Sequence, residues 1–168
     1  MNLPDMTVLD LLLTYEAIDD ELLRRRIQEK RGEAVGGYTE RLVCLALKLR
    51  RMDLDHEGFD AIDEGLPGQV IRYQIKGRRD IKDKNPLLSS IGDYQQGKRP
   101  FDFLVGVVFG KNFHIRRAAK IEYDDLWNLN ELLSTKNGRQ LKLTNGLMRK
   151  KGVQDITNIL TPHRESVS

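Results

Sequence analysis

Asp60, Gln74 and Lys76 are of the types that bind a divalent cation and stabilise a phosphate, and they fall close together in the chain. Gln74 and Lys76 are two apart in Tyr73-Gln74-Ile75-Lys76-Gly77. On an extended strand they share one face, with Tyr73 and Ile75 on the other. Asp60 lies upstream in Gly58-Phe59-Asp60-Ala61-Ile62-Asp63, before a turn at residues 65–68 that contains Pro67. If the two segments pair across that turn, Asp60 approaches the Gln74 face. It would then offer a hard oxygen to a magnesium ion (Mg2+), with the Gln74 amide oxygen and the Ile75 backbone carbonyl as further ligands. Lys76 beside such an ion could orient or help deprotonate an attacking water and stabilise charge developing on a phosphate. The bland alternatives are a solvent-exposed strand lysine at position 76 and a strand-edge charge at position 60.

Glu40 belongs to a second apolar segment, on a stripe with Val43, Cys44 and Leu47 at offsets of three, four and seven. A carboxylate on that stripe either complements the helix dipole or faces the cation. Asp63 rivals Asp60, but strand alternation places the two on opposite faces. His56, His114 and His163 lack metal-ligand spacing, and Cys44 reads as a small core residue, so neither zinc nor a cysteine nucleophile is supported. No phosphate-loop pattern follows Gly36 and Gly37.

These residues need elements to hold them. Apolar positions at Val8, Leu9, Leu12, Tyr15, Ile18, Leu22 and Leu23 predict an amphipathic helix over residues 6–30. Gly32, Gly36 and Gly37 interrupt it, and a second helix is expected over 39–51. Residues 59–63 and 69–77 read as an antiparallel strand pair, and 85–96 as a short helix with irregular flanks. The nearly continuous apolar run 101–109 is the expected sheet centre, with 113–119 as its neighbour. A helix over 123–133, a hairpin around Asn145 and Gly146, and a short helix over 155–160 complete the reading. The order predicts an α/β sandwich with a mixed central sheet flanked by helices. The chain divides into an N-terminal helical segment (1–34), a core (35–134) and a basic C-terminal extension (135–168) packed on it.

The chain has 168 residues, 39% hydrophobic and 32% charged, which excludes collagen-like and wholly disordered classes. Its apolar clusters are far shorter than a membrane span. A single cysteine and no secretory leader pattern point to a reducing, cytoplasmic setting. The net charge of +3 hides an uneven distribution. Residues 69–120 hold 12 Lys and Arg against four Asp, and residues 136–164 hold seven against Asp155 alone. Residues 53–64 instead carry six carboxylates and no Lys or Arg. Basic segments of this kind attract polyanions, and an acidic cluster beside them suits metal-assisted chemistry on a phosphate, although any one charge run is usually a solvated face.

Taken in order, Glu40, Asp60, Gln74 and Lys76 resemble the signature of the PD-(D/E)xK nuclease superfamily, with its restriction-endonuclease-like fold. There a helix glutamate precedes a strand aspartate, then an acidic residue or glutamine, one spacer and lysine. The resemblance covers roughly residues 35–117. It is nearest to glutamine-bearing branches such as Mrr-like enzymes and to small bacterial domains of undefined function that share Gln74-Ile75-Lys76-Gly77-Arg78-Arg79. Phe59 stands where the superfamily has proline, and neutral Gln74 attracts a cation less than a carboxylate does. The resemblance implies a metal-dependent endodeoxyribonuclease using Mg2+ or manganese (Mn2+), with Asp60, Gln74, Ile75 and Glu40 at the metal. Arg78, Arg79, Lys82 and Lys84 would hold the DNA backbone, since phosphate contacts position a duplex without reading bases. A homodimer is compatible with it. The rivals are a non-catalytic DNA-binding or complex-forming module and an RNA-directed enzyme on the same site.

Overall fold

The computed structural model describes residues 2–28, 34–53, 58–80, 82–84, 86–93, 97–136 and 138–167. Helix α1 (Val8–Arg24) is followed by α2 (Ala34–Leu47) and a two-residue strand β1 (Arg50–Arg51). Next come β2 (Ala61–Leu66), β3 (Gln69–Arg79), β4 (Phe103–Phe109) and β5 (Ile115–Glu122). A single turn of helix α3 (Tyr123–Leu126) precedes β6 (Leu132–Thr135), β7 (Gly138–Leu141), β8 (Val153–Asp155) and α4 (Thr157–Leu160). One sheet runs in the order β1-β2-β3-β4-β5-β8, and β6 and β7 form a separate pair. Within the sheet β3 and β4 are parallel and the other pairs antiparallel, so this is a mixed sheet in a mixed α/β fold. Among the described residues no helix is long and apolar enough to cross a membrane.

β4 is central because its side chains are apolar on both faces, and Leu104 to Phe109 are all buried. On one face Val105, Val107 and Phe109 meet Tyr73 and Ile75 of β3, with Leu42, Val43 and Cys44 of α2 above them. On the other, Leu104 and Val108 pack with Leu88, Phe101, Leu126, Leu132 and Leu141. β8 pairs with β5, and Leu160 of α4 joins the α2 cluster, so the C-terminal residues complete the sheet and its helical face.

The first face carries α2 and α4, while the second carries the single-turn helix α3 together with β6 and β7. The anticipated helix over 123–133 stops at Leu126, and successive turns through Asn128 lead into β6. The apolar spacing at 123, 126 and 132 suits either state; pairing with β7, which buries Leu132 and Leu141, decides it. Of the expected helix over 85–96, Asn85 and residues 94–96 lie outside the described residues, and 86–93 is not helical. Its backbone is instead satisfied by β7: Leu88 N–H donates to Leu141 O (2.9 Å) and Ile91 N–H to Arg139 O (3.0 Å). Asn145-Gly146 is no hairpin tip. Thr144 Oγ1 accepts the Leu147 N–H at 3.0 Å and opens a 3₁₀ turn, while the hairpin closes before Gly138 at φ 90°.

Helix α2 begins upstream of the expected residue 39 and runs through Gly36 and Gly37. These glycines do not break it. A Cβ at Gly37 would lie 1.5 Å from Ile27 O, so glycine serves a close approach of the chain after α1. α2 also ends before the expected residue 51, at Leu47, and Arg50 and Arg51 pair with Ile62 and Ala61. Residues 29 and 30, the end of the first expected helix, lie outside the described residues.

Candidate functional site

The β2–β3 hairpin turns at Pro67-Gly68, with Gly68 at φ 77°. Its ladder runs back to Ala61 opposite Tyr73. One residue further, Asp60 N–H donates to Tyr73 O (2.8 Å), and Asp60 O accepts the Met52 N–H (2.9 Å) as the chain leaves β3 for β1. At this fork the Asp60 carboxylate takes over from the main chain. Its Oδ2 accepts the Ile75 N–H at 2.6 Å and the Gln74 Nε2–H at 2.5 Å. Because the N–H and C=O of one strand residue point to the same edge, the Ile75 carbonyl also faces the fork.

The alternation anticipated for β3 is present: Tyr73 and Ile75 are buried in the α2-side core, while Gln74 and Lys76 are half-buried on the opposite face. Glu40 comes to the fork from α2. The helix reaches β3 closely because Gly77 leaves room; a Cβ there would sit 1.9 Å from Thr39 Oγ1. Burial, and then the negative charge of Asp60, raise the Glu40 carboxyl above its ordinary value, while Arg51 and Lys76 pull it down. Burial likewise raises Asp60, opposed by the Lys76 charge and by the hydrogen bonds from Ile75 and Gln74. Two half-buried carboxylates and one ammonium therefore share a field. Lys76 makes no ion pair or hydrogen bond among the described residues, so its charge is available to a ligand.

Arg51 is the site residue that sequence reasoning missed. Its Nε donates to Glu40 Oε2 at 3.0 Å, with both side chains largely covered. Nothing in the sequence marks it, because β1 is two residues long and its register with β2 is a tertiary fact.

Asp63 is removed as a rival. It lies on the other face of β2, where its Oδ1 accepts the Gly65 N–H at 2.8 Å and caps the turn. Cys44 is no nucleophile, since burial pushes its thiol up to about 12. His56 lies outside the described residues.

The basic run after β3 divides. Arg78 is exposed on the Lys76 face, opposite Val108 in β4. Arg79 alternates to the α2 side, its guanidinium 4.8 Å from the Phe113 ring centroid. Lys82 and Lys84 are exposed on either side of Asp83, which is tied to Arg117 (2.5 Å) and Arg116 (3.0 Å) of β5. Asp83 thus anchors the segment and leaves its two lysines outward.

Among the described residues no group of three or more His, Cys, Asp or Glu side chains is placed to hold a metal ion. The fork instead offers two carboxylates, an amide and a main-chain carbonyl. Such a set fits a hard cation, since Mg2+ takes one or two carboxylates and completes its shell with water and substrate oxygens. Burial, which disfavours the charged form, raises both carboxyls, and the charge of Asp60 adds to the rise at Glu40; a cation would offset both effects. Compared with protein-family models and with curated proteins, the chain matches none.

Proposed function

We propose that this protein is a metal-dependent endodeoxyribonuclease with a restriction-endonuclease-like core, hydrolysing DNA phosphodiester bonds at the β2–β3 fork. One observation carries the reading: Asp60 is bonded to Gln74 and Ile75 where the strands part, and the Lys76 charge acts on both Asp60 and Glu40. Asp60, Glu40, Gln74 Oε1 and the Ile75 carbonyl would hold Mg2+ or Mn2+. Such an ion supplies Lewis-acid activation of a phosphodiester and of water. Lys76 presents an unspent ammonium to the phosphate, where it stabilises negative charge and orients the attacking water. Arg78, Lys82 and Lys84 line the exposed approach along the same face and hold the backbone.

The rival, a non-catalytic DNA-binding module, draws on Gln74, a neutral amide that spends its N–H on Asp60. Magnesium- and manganese-dependent cleavage of supercoiled plasmid, beside single-stranded RNA, decides between them. Nicking or linearisation by the wild type and its loss in Lys76→Ala are expected. DNA binding without cleavage in either metal hands the fold to the rival, RNA cleavage alone changes the substrate, and equal cleavage by Lys76→Ala discards the site.

A further inference from the structure

Helix α1 presents an apolar stripe that its own fold leaves uncovered. Tyr15 is 59% exposed, Ile18 51% and Leu11 38%, and Leu22 is half-buried at the end of the row. Spacings of four, three and four put these side chains along one strip of the helix. None of them packs against either core cluster. The helix is nonetheless fastened at its C-terminal end. Gln28 Nε2 donates to Asp19 Oδ1 (2.8 Å) and to Asp19 O (3.3 Å), with both residues buried, and Ile27 O abuts Gly37 of α2. A docked helix thus carries an outward row of large apolar side chains.

Charge says what covers that row. Residues 1–23 carry six carboxylates and no Lys or Arg, and Arg24, Arg25 and Arg26 follow directly. A helix that lies on a membrane carries Lys and Arg beside its apolar face, the reverse of this pattern. A helix acidic along its length and basic at its end is the complement of itself turned round. A parallel copy sets like charges together, whereas an antiparallel copy sets the arginines against the acidic start, and the opposed helix dipoles favour the same orientation. The apolar spacing agrees, because four-three-four reads the same from either end. With Leu11 opposite Leu22 of the second copy and Tyr15 opposite its Ile18, positions 24–26 fall opposite positions 7–9, which Asp5 and Asp10 flank. We infer that α1 is a homodimer interface, pairing antiparallel with α1 of a second copy of this chain about a two-fold axis between positions 16 and 17. The seam from residue 11 to residue 22 is about 17 Å long. It is smaller than the ~800 Å² per partner of a standard interface, so the dimer is weak, with a Kd of about 10–100 µM. None of these residues belongs to the fork, so the dimer is independent of the nuclease reading.

Sedimentation equilibrium of the full chain, from about 5 to about 500 µM, brackets that affinity. A monomer–dimer equilibrium is expected in the wild type, and monomers in Tyr15→Glu and Ile18→Glu. Both side chains are exposed, so circular dichroism of the variants and their melting temperature at low concentration match the wild type. Orientation is read by oxidative cross-linking of Leu11→Cys and Leu22→Cys, each alone and mixed, with the wild type as control for the buried Cys44. A disulfide-linked dimer in the mixture, absent from either variant alone, is expected. Wild-type monomers throughout the range, or a dimer that survives both glutamate substitutions, overturn the interface. Cross-linking of each cysteine variant with itself overturns the antiparallel pairing.

Discussion

The main-chain N–H of Ile75 donates to Asp60 Oδ2 at 2.6 Å, so a carboxylate stands where the antiparallel ladder would have placed a carbonyl. The substitution fastens a charged group at the point of divergence, one residue before β2 begins.

Lys76 is the residue whose loss separates chemistry from structure. It is half-buried and makes no ion pair or hydrogen bond among the described residues, so Lys76→Ala removes no direct contact and lowers the melting temperature only through the charge it exerts on Asp60 and Glu40. Cleavage should fall about 100-fold or more, the usual scale for losing a positioned proton-transfer or charge-stabilising group. Initial rates of plasmid nicking, read beside thermal denaturation, check both halves.

Gln74→Glu adds a negative charge beside Asp60. Magnesium should bind about tenfold more tightly, because one extra charge near the ion exceeds the 1.4 kcal/mol that a factor of ten requires. Isothermal titration of both proteins with Mg2+ measures it. Equal affinities would take the Gln74 side chain away from the ion.

Glu40 gives a pH signature. Its carboxyl is raised above the ordinary 4.5 chiefly by burial, so the stability it contributes is complete below that value and is lost as pH rises through the raised one. Glu40→Gln has no such loss. The two proteins should melt alike below about pH 4.5, and the variant should melt higher at neutral pH. Added Mg2+ should raise the wild-type melting temperature at neutral pH and leave the variant's unchanged. Calorimetric scans across pH test the sign.

Arg78 and Arg79 are neighbours in sequence but not on the sheet. Arg78→Ala should lower the salt slope of DNA binding by about one. Arg79→Ala should leave the slope alone and cost a little stability, because its guanidinium covers Phe113. Equal slopes for the two variants would show that strand alternation does not sort their partners.

Gly77→Ala should destabilise the protein by about 1–3 kcal/mol, the cost of forcing a methyl group into an interface. The new Cβ would meet Thr39 Oγ1 at 1.9 Å and Thr39 Cβ at 2.8 Å. Thr39→Ala in the same chain removes the contacts with Oγ1 and Cγ2 but not that with Cβ, and so restores part of the loss. Chemical denaturation of the single and double variants measures the coupling.

The parts of the fold legible in the sequence are those where one periodicity had no competitor. The β2–β3 pair followed from alternation around Pro67-Gly68, and β4 from an apolar run too short for a helix. The second face was misread because residues 86–93 and 127–135 take their hydrogen bonds from β7, which no local pattern announces. The glycines at 36 and 37 were read as punctuation, when Gly37 is a contact surface. At the site, strand spacing sufficed to put Gln74 and Lys76 on one face and to separate Asp60 from Asp63. Arg51 was illegible, since its role depends on a two-residue strand finding its partner across the sheet edge.

Gly106 stands beside Lys76 in the parallel pair, and a Cβ there would lie 2.6 Å from Leu88 Cδ1. The absence of one methyl group therefore sets how low the segment around Leu88 rests on the sheet next to the lysine. A methyl group there would have to displace the end of the buried Leu88 side chain, altering the headroom above Lys76 without adding or removing a charge. Under the nuclease reading proposed above, position 106 would set the room for a strand beside Lys76 without changing any charged group of the fork.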